Sequence, residues 1–179
     1  LHSNFQNDYL MKLECTDYIG PMSKKYILSS DFSFIGGSNL LTSQINKYKQ
    51  IGFSFFDSFI IQNMILIGVG WWQYQEKPNL LSKVFFKNLL SSKTTHSVRD
   101  EYTKEKLAEI GLTNVINTSC PSTWNLTEDH CNSISRSKSD AVVFTLTDYS
   151  HDSKSDRKFI DILKDKYQKI FFWPQGWND

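Results

Sequence analysis

The chain has 179 residues, of which 40% are hydrophobic and 15% aromatic, which is enough apolar surface for a packed core and argues against disorder. Its formal net charge of +1 gives no indication of nucleic acid or an anionic membrane as an obligatory partner. The three cysteines contain no CxxC pair, which argues against a disulfide framework or a zinc site, and we expect buried free thiols in a reducing compartment.

Strand-like and helix-like segments alternate along the first half of the chain. Residues 32–35 are aromatic and β-branched and predict a short strand that ends at Gly36-Gly37. Residues 64–69 are almost continuously apolar, as expected for a strand that is covered on both faces. The surrounding stretch 53–72 contains charged and amide side chains, so it is a poor candidate for a transmembrane segment. Residues 42–63 fit a helix and a strand equally well.

The next elements carry recognisable end signals. Residues 80–90 follow Pro78-Asn79 and predict a helix, with one apolar face formed by Leu81, Val84, Phe85 and Leu89. Residues 94–98 and 115–116 predict short strands. Between them, Asp100 can cap a helix that ends before Gly111 and places Thr103, Leu107 and Ile110 on one face.

A polar stretch divides the chain and predicts two domains. Residues 126–139 are rich in Ser, Asn and charged residues, which is typical of a linker between domains 1–125 and 140–179. After it, residues 141–147, 154–167 and 170–173 predict a strand, a helix and a strand. Such a βαβ unit specifies a parallel sheet with a right-handed crossover, so we expect an α/β fold with Rossmann-like parallel sheets.

Candidate site residues follow from that topology, because open parallel sheets bind ligands beyond the carboxyl ends of their strands. The turn Gly36, Gly37, Ser38 and Asn39 could present backbone amides to a phosphate or carboxylate, although a simple tight turn explains it as well. Trp71 and Trp72 follow Gly68-Val69-Gly70 and could stack on a sugar, or they could pack in the core.

Arg99 is the other candidate at this edge. An arginine in a cleft suits bidentate capture of carboxylate or phosphate, but Asp100 could instead hold it in a structural ion pair. His96 is the histidine nearest to this predicted cleft. The histidines form no spaced metal set, and neither a Ser-His-Asp order nor a pair of spaced carboxylates is present, so we predict no metal site.

Five blocks of sequence, taken in order, resemble the polysaccharide pyruvyl transferase family. They read FIGGSNLL at 34–41, IGVGWWQY at 67–74, SVRD at 97–100 with its following helix, NTSCPSTW at 117–124, and TLTDY at 145–149 through FWPQG at 172–176. Each block is weak alone. Their order and spacing cover nearly all of the chain from about residue 30, whereas residues 1–30 match the family poorly.

The resemblance implies a two-domain architecture like that of GT-B glycosyltransferases. It also implies transfer of a pyruvyl group from phosphoenolpyruvate to sugar hydroxyls of a surface or capsular polysaccharide or its precursor. The expected partners are this small-molecule donor and a glycan acceptor, with no cofactor, no nucleic acid and no transmembrane segment. A cytoplasmic location follows, with or without peripheral contact to the inner face of the membrane. The substrate-binding set is expected to be Gly36, Gly37, Ser38, Asn39, Trp71, Trp72, Arg99 and Gln175.

The resemblance also leads us to expect that the chain is a fragment. The family's Arg-Leu-His-type motif, which carries the expected catalytic histidine, is not found before Asp179, and the glycine-containing turn after the family's first strand is missing. We therefore expect an incomplete second domain, a catalytic residue downstream of Asp179, and no pyruvyl transfer by this chain alone. Two other interpretations stay open, a nucleotide-sugar-dependent GT-B glycosyltransferase and a non-catalytic sugar-binding domain.

Overall fold

The computed structural model describes residues 11–14, 18–146 and 152–174. The chain divides into two units, residues 1–127 and 128–179. In unit 1 the described elements are α1 (Pro21–Ser29), β1 (Phe34–Gly36), β2 (Asn39–Leu41), α2 (Asp57–Ile60), β3 (Ile65–Ile67), β4 (Gly70–Trp71), α3 (Leu80–Leu89), β5 (His96–Val98), α4 (Glu101–Glu109) and β6 (Val115–Asn117). In unit 2 they are α5 (Glu128–Ser133), β7 (Ala141–Phe144), α6 (Ser153–Lys166) and β8 (Lys169–Phe172).

The strands of unit 1 pair in parallel, which confirms the predicted α/β class. β1 pairs with β3, β2 with β4, and β5 with β6. The ends of β3 and β5 are joined by two backbone hydrogen bonds, from the Gly68 N–H to the Ser97 carbonyl at 3.0 Å and from the Arg99 N–H to the Val69 carbonyl at 3.1 Å. The carboxyl ends of β1, β3, β5 and β6 therefore share one edge of unit 1.

Side-chain caps fix where two helices of unit 1, α3 and α4, begin. The Asn79 side chain accepts a hydrogen bond from the Ser82 N–H at 2.8 Å and begins α3, and Asp100 caps α4 in the same way. Gly111 follows α4 with φ +87°, a left-handed conformation that favours glycine. Both helices begin where the sequence predicts and end one residue before the predicted end.

The buried faces of these helices pack in the core of unit 1, together with residues of the strands and loops. The predicted face of α4 is confirmed, because Thr103, Leu107 and Ile110 are all buried. In α3 the face is rotated from the prediction. Leu81 is 46% exposed, and Phe86 takes the core position beside Phe85 and Leu89.

Unit 2 contains the predicted βαβ arrangement, with β7 and β8 parallel and α6 between them in the chain. The Asp152 side chain accepts hydrogen bonds from the first turn of α6, and Leu163 is the buried residue of that helix. Phe144 of β7 contacts Phe159 of α6 and Phe172 of β8 at ring-centroid distances of 6.0 and 5.4 Å. Within the predicted linker 126–139, residues Glu128–Ser133 form α5.

The ambiguous region 42–63 is mostly irregular, and Asp57 organises its only described helix, α2. Burial opposes ionisation of this carboxyl, but hydrogen bonds from Lys24 Nζ at 2.6 Å and from the Ser54 N–H at 2.8 Å outweigh it and lower the pKa of Asp57. The expectation of buried thiols is wrong for Cys131, which is exposed on α5, and Cys120 is half-buried. Cys15 lies outside the described residues.

Candidate functional site at the carboxyl edge of unit 1

Four loops meet where β1, β3, β5 and β6 end. The Gly70 N–H donates to the Ser38 carbonyl at 2.8 Å, which joins the loop after β1 to the loop after β3. The bond from Arg99 to Val69 joins that loop to the residue after β5, and the Thr118 N–H donates to the Val98 carbonyl at 2.9 Å. The structure thus brings together the candidate residues Gly36, Gly37, Ser38, Asn39 and Arg99.

Gly70 lies at the centre of this edge, and its position has no room for a side chain. A β-carbon there would overlap Asn39 Oδ1 and lie 2.7 Å from Arg99 Nε and 2.9 Å from Arg99 Cδ. The absence of that carbon lets the amide of Asn39 and the guanidinium of Arg99 approach the same point of the backbone. The sequence indicated that the backbone of residues 68–70 could be approached closely, but Gly70 was not among the predicted substrate-binding residues and its contacts with Asn39 and Arg99 were not predicted.

Arg99 has hydrogen-bonding capacity left for a ligand. Its side chain is 33% exposed, and its Nε lies 3.5 Å from Asp100 Oδ2, which is a long contact for an ion pair. The other oxygen, Asp100 Oδ1, accepts two hydrogen bonds of 2.7 Å from the N–H and the hydroxyl of Thr103. Asp100 is therefore mainly a helix cap, and within the described residues the Nη groups of Arg99 have no polar partner.

The Asn39 side chain adds an unpartnered polar atom beside Arg99. Its Oδ1 is buried and, within the described part of the chain, has no hydrogen-bond partner. Buried polar atoms are nearly always paired in folded proteins, so this oxygen is available to accept a hydrogen bond from a ligand or from solvent.

Cys120 borders the same edge. Pro121, the next residue, packs against Gly68, where φ is +60° and a β-carbon would overlap the proline ring. Hydrogen bonds with Ser122, whose Oγ lies 3.0 Å from the Cys120 sulfur, lower the pKa of the Cys120 thiol, and the positive charge of Arg99 lowers it further. The sequence indicated this loop through NTSCPSTW at 117–124 but did not indicate that the charge of Arg99 acts on its thiol.

The two tryptophans have different environments. Trp71 is 3% exposed, its Nε1–H donates to Ser43 Oγ at 3.2 Å, and its ring packs on Phe86 with centroids 6.0 Å apart. Its side chain belongs to the core, as the alternative interpretation held. Trp72 is half-buried and contacts the ring of Tyr48 at a centroid distance of 4.5 Å. Gln175 lies outside the described residues.

His96 is a structural residue. It is fully buried, its Nε2–H donates to the Ser91 carbonyl at 2.7 Å, and its Nδ1 accepts from the Leu66 N–H at 3.2 Å. Burial lowers the pKa of His96, although the bond to Ser91 works in the opposite direction. Nδ1 joins β5 to β3, and Nε2 joins β5 to the segment after α3, so this histidine has no free nitrogen for proton transfer.

Fold and site together define an α/β protein whose unit 1 gathers an arginine, an amide and a thiol at the carboxyl edge of its parallel strands. The family model for polysaccharide pyruvyl transferase matches residues 2–177, and the chain belongs to that family. Comparison with curated proteins finds no match, and comparison with solved structures finds none either. In the described ranges, no helix has the length and apolar character needed to cross a membrane.

Proposed function

We propose that the protein transfers a pyruvyl group from phosphoenolpyruvate to a sugar hydroxyl of a surface or capsular polysaccharide or its precursor, and that Arg99 binds the anionic donor. The observation that carries this proposal is the state of Arg99. It is half-exposed, only weakly held by Asp100, and adjacent to Gly70 and the unpartnered Asn39 Oδ1. A guanidinium with free Nη groups suits bidentate binding of a carboxylate or phosphate.

The reaction explains why such a site is needed. A general acid protonates the methylene carbon of phosphoenolpyruvate, which becomes a methyl group, and a sugar hydroxyl adds to the central carbon and loses its proton. A second hydroxyl then takes the place of the departing phosphate on the same carbon and loses its proton, which closes the ketal. The donor brings a carboxylate and a phosphate, and the departing phosphate carries the electron pair of the broken bond. Fixed positive charge and N–H donors at the carboxyl edge stabilise both anions. The amides of Gly36, Gly37 and Ser38 are proposed as further donors there.

The proton donor is not assigned to unit 1. His96, which lies in the described part of unit 1, has both ring nitrogens in hydrogen bonds, so it cannot serve as the proton donor. We therefore propose that the 179-residue chain binds the donor without turning it over. We further propose that residues 1–125 and 140–179 correspond to the Rossmann-like domains of a GT-B-like architecture, joined by residues 126–139, and that the protein acts in the cytoplasm without a cofactor.

Ligand-dependent stabilisation distinguishes this function from its alternatives. A ligand present at about one hundred times its Kd stabilises the folded state by about 2.7 kcal/mol. For a chain of this size that shifts Tm by roughly 5–10 °C. We expect this shift with phosphoenolpyruvate, a smaller one with inorganic phosphate, and none with a uridine diphosphate sugar.

Three outcomes would contradict the proposal. Protection by the nucleotide sugar but not by phosphoenolpyruvate would indicate a glycosyltransferase. Absence of protection by either donor would favour a non-catalytic sugar-binding domain. Robust turnover of phosphoenolpyruvate by the purified chain would show that the described residues, or those next to them, do supply the acid.

A further inference from the structure

The loop between β4 and α3 exposes aromatic side chains on a firmly held backbone. Trp72 is half-buried, Tyr74 is 91% exposed, and Tyr48 beside Trp72 is 39% exposed. The rings form two close pairs: Tyr48 with Trp72 at 4.5 Å between centroids, and Tyr74 with Tyr102 of α4 at 5.0 Å. We refer to Tyr48, Trp72 and Tyr74 as the aromatic platform.

The backbone under the platform is fixed from several directions. The Trp72 N–H donates to the Leu41 carbonyl at 2.7 Å. The hydroxyl of Tyr102 accepts from the Gln75 N–H at 2.7 Å and donates to the Gln75 carbonyl at 3.0 Å. The Gln75 side-chain oxygen accepts hydrogen bonds from Ser43, Thr42 and Trp71 at 2.7, 3.1 and 3.2 Å. The exposure of Tyr74 is therefore not the result of a loosely attached loop.

The platform is also built at an energetic cost. Gln73, between Trp72 and Tyr74, has φ +57°, a left-handed conformation that is unfavourable for a residue with a side chain. A tyrosine ring left in water forgoes the stabilisation that its burial would give. The surrounding hydrogen bonds hold the loop in this unfavourable conformation with its rings exposed. Such an arrangement is expected where a ligand covers the rings.

The platform adjoins the Arg99 site along two segments of chain. Trp72 follows Gly70 by two residues, which is at most about 7 Å of extended backbone. Tyr102 lies three residues after Arg99, on the first turn of α4. The Trp71 N–H also donates to Thr103 Oγ1 at 2.8 Å, and Thr103 binds the Asp100 cap. The platform is therefore joined to the Arg99 site through short, hydrogen-bonded segments of chain.

From this arrangement we infer that the aromatic platform is the acceptor subsite, and that it binds the apolar C–H face of a neutral sugar ring by stacking. The inference rests on the proposed function, because it identifies the acceptor from its closeness to Arg99. The C–H groups on one face of a pyranose carry slight positive charge and meet the negative face of an aromatic ring. Tyr48 also borders an apolar pocket of about 230 Å³, which is smaller than the usual 300–1,000 Å³ of a ligand cavity. The proposed contact with the sugar is therefore made by the exposed rings and not by this pocket.

Saturation-transfer NMR on the full 179-residue chain tests this subsite directly. The probes are the methyl glycosides of glucose, galactose, mannose and N-acetylglucosamine, without donor and with phosphoenolpyruvate. We expect saturation of the C–H protons of one face of at least one sugar. Trp72→Ala and Tyr74→Ala should each weaken its binding by about tenfold. The matched control is Tyr26→Ala, which removes an exposed tyrosine from α1, and it should bind the sugar as the wild type does.

The outcomes separate the subsite from the donor site. If phosphoenolpyruvate still raises the Tm of Trp72→Ala and Tyr74→Ala while both variants no longer bind the sugar, the platform is the acceptor subsite. Failure of all four glycosides to bind, or equal binding by wild type and both variants, would overturn the inference while leaving the donor site intact. A loss of self-association in the variants, without a change in sugar binding, would show that the rings contact a second protein copy and would equally overturn it.

Discussion

The substitution Gly70→Ala adds one methyl group at the point where the Asn39 and Arg99 side chains meet, and so tests whether their positions are needed for binding. Gly70→Ala places that carbon 2.9 Å from Arg99 Cδ and 2.7 Å from Nε, and on top of Asn39 Oδ1. Ordinary contacts between carbon atoms begin at about 3.5 Å, so the Arg99 side chain must move by roughly 0.6 Å or more. The Asn39 amide must leave its position altogether.

That displacement is large compared with the tolerance of an anion contact. Charge-assisted hydrogen bonds are about 2.7–2.9 Å long and weaken steeply as their geometry deteriorates. Loss of one such bond costs roughly 1.5–3 kcal/mol. We therefore expect the Kd for phosphoenolpyruvate to rise by about ten- to one-hundred-fold. Crowding of a buried position should also lower the free energy of unfolding by about 1–3 kcal/mol.

Isothermal titration calorimetry with phosphoenolpyruvate, at a temperature where every variant is folded, measures the change in affinity. Gly20→Ala is the matched control, because nothing lies within 4 Å of a β-carbon there. Ile110→Val, in the core of unit 1, controls for destabilisation alone and should keep wild-type affinity. Wild-type affinity in Gly70→Ala would refute the claim that Arg99 and Asn39 form the anion site.

Three further predictions concern stability. Gly68→Ala should lower the free energy of unfolding by about 1–2 kcal/mol because φ is +60° at this position, and by a further amount because the new β-carbon overlaps Pro121. Urea unfolding of the double variant with Pro121→Ala should recover only the further amount. Trp71→Ala should cost about 3–5 kcal/mol in the same assay, whereas a value below about 1 kcal/mol would contradict a core role. Burial lowers the pKa of His96 below its ordinary value of about 6.5, so the unfolded chain binds the extra proton at a higher pH than the folded chain does. The contribution of neutral His96 to the free energy of unfolding is therefore fully present above a pH of about 6.5 and is lost as pH falls below it. His96→Gln should be less stable at pH 7 but less sensitive to acid, and a decline as steep as that of the wild type would contradict this origin.

The parts of the fold that the sequence predicted are those with local signals. Asn79 and Asp100 cap α3 and α4 through bonds to residues three positions away, and Gly111 ends α4 by its own backbone conformation. Such signals lie within one turn of chain and do not depend on tertiary structure. β2 and β4, with three and two residues, are too short to show a period and were not predicted.

The candidate site was only partly predictable from the sequence, because it depends on contacts between residues that are far apart in the chain. The rule for parallel sheets indicated the correct loops, but which side chains meet there depends on distant residues. Trp71 and Trp72 are adjacent in sequence, yet only Trp71 is fully buried, with a hydrogen bond to Ser43, twenty-eight positions away. The approach of Asn39 to Arg99 likewise requires a glycine in a third segment, which no local pattern specifies.

The proposed donor site is tested most directly by removing the charge of Arg99. Arg99→Gln keeps a planar polar side chain but loses the positive charge and the bidentate guanidinium. We expect calorimetry to show phosphoenolpyruvate binding to the wild-type chain, and binding to Arg99→Gln that is weaker by at least about tenfold. Equal affinity of the two proteins for phosphoenolpyruvate would contradict the assignment of this edge as the donor site.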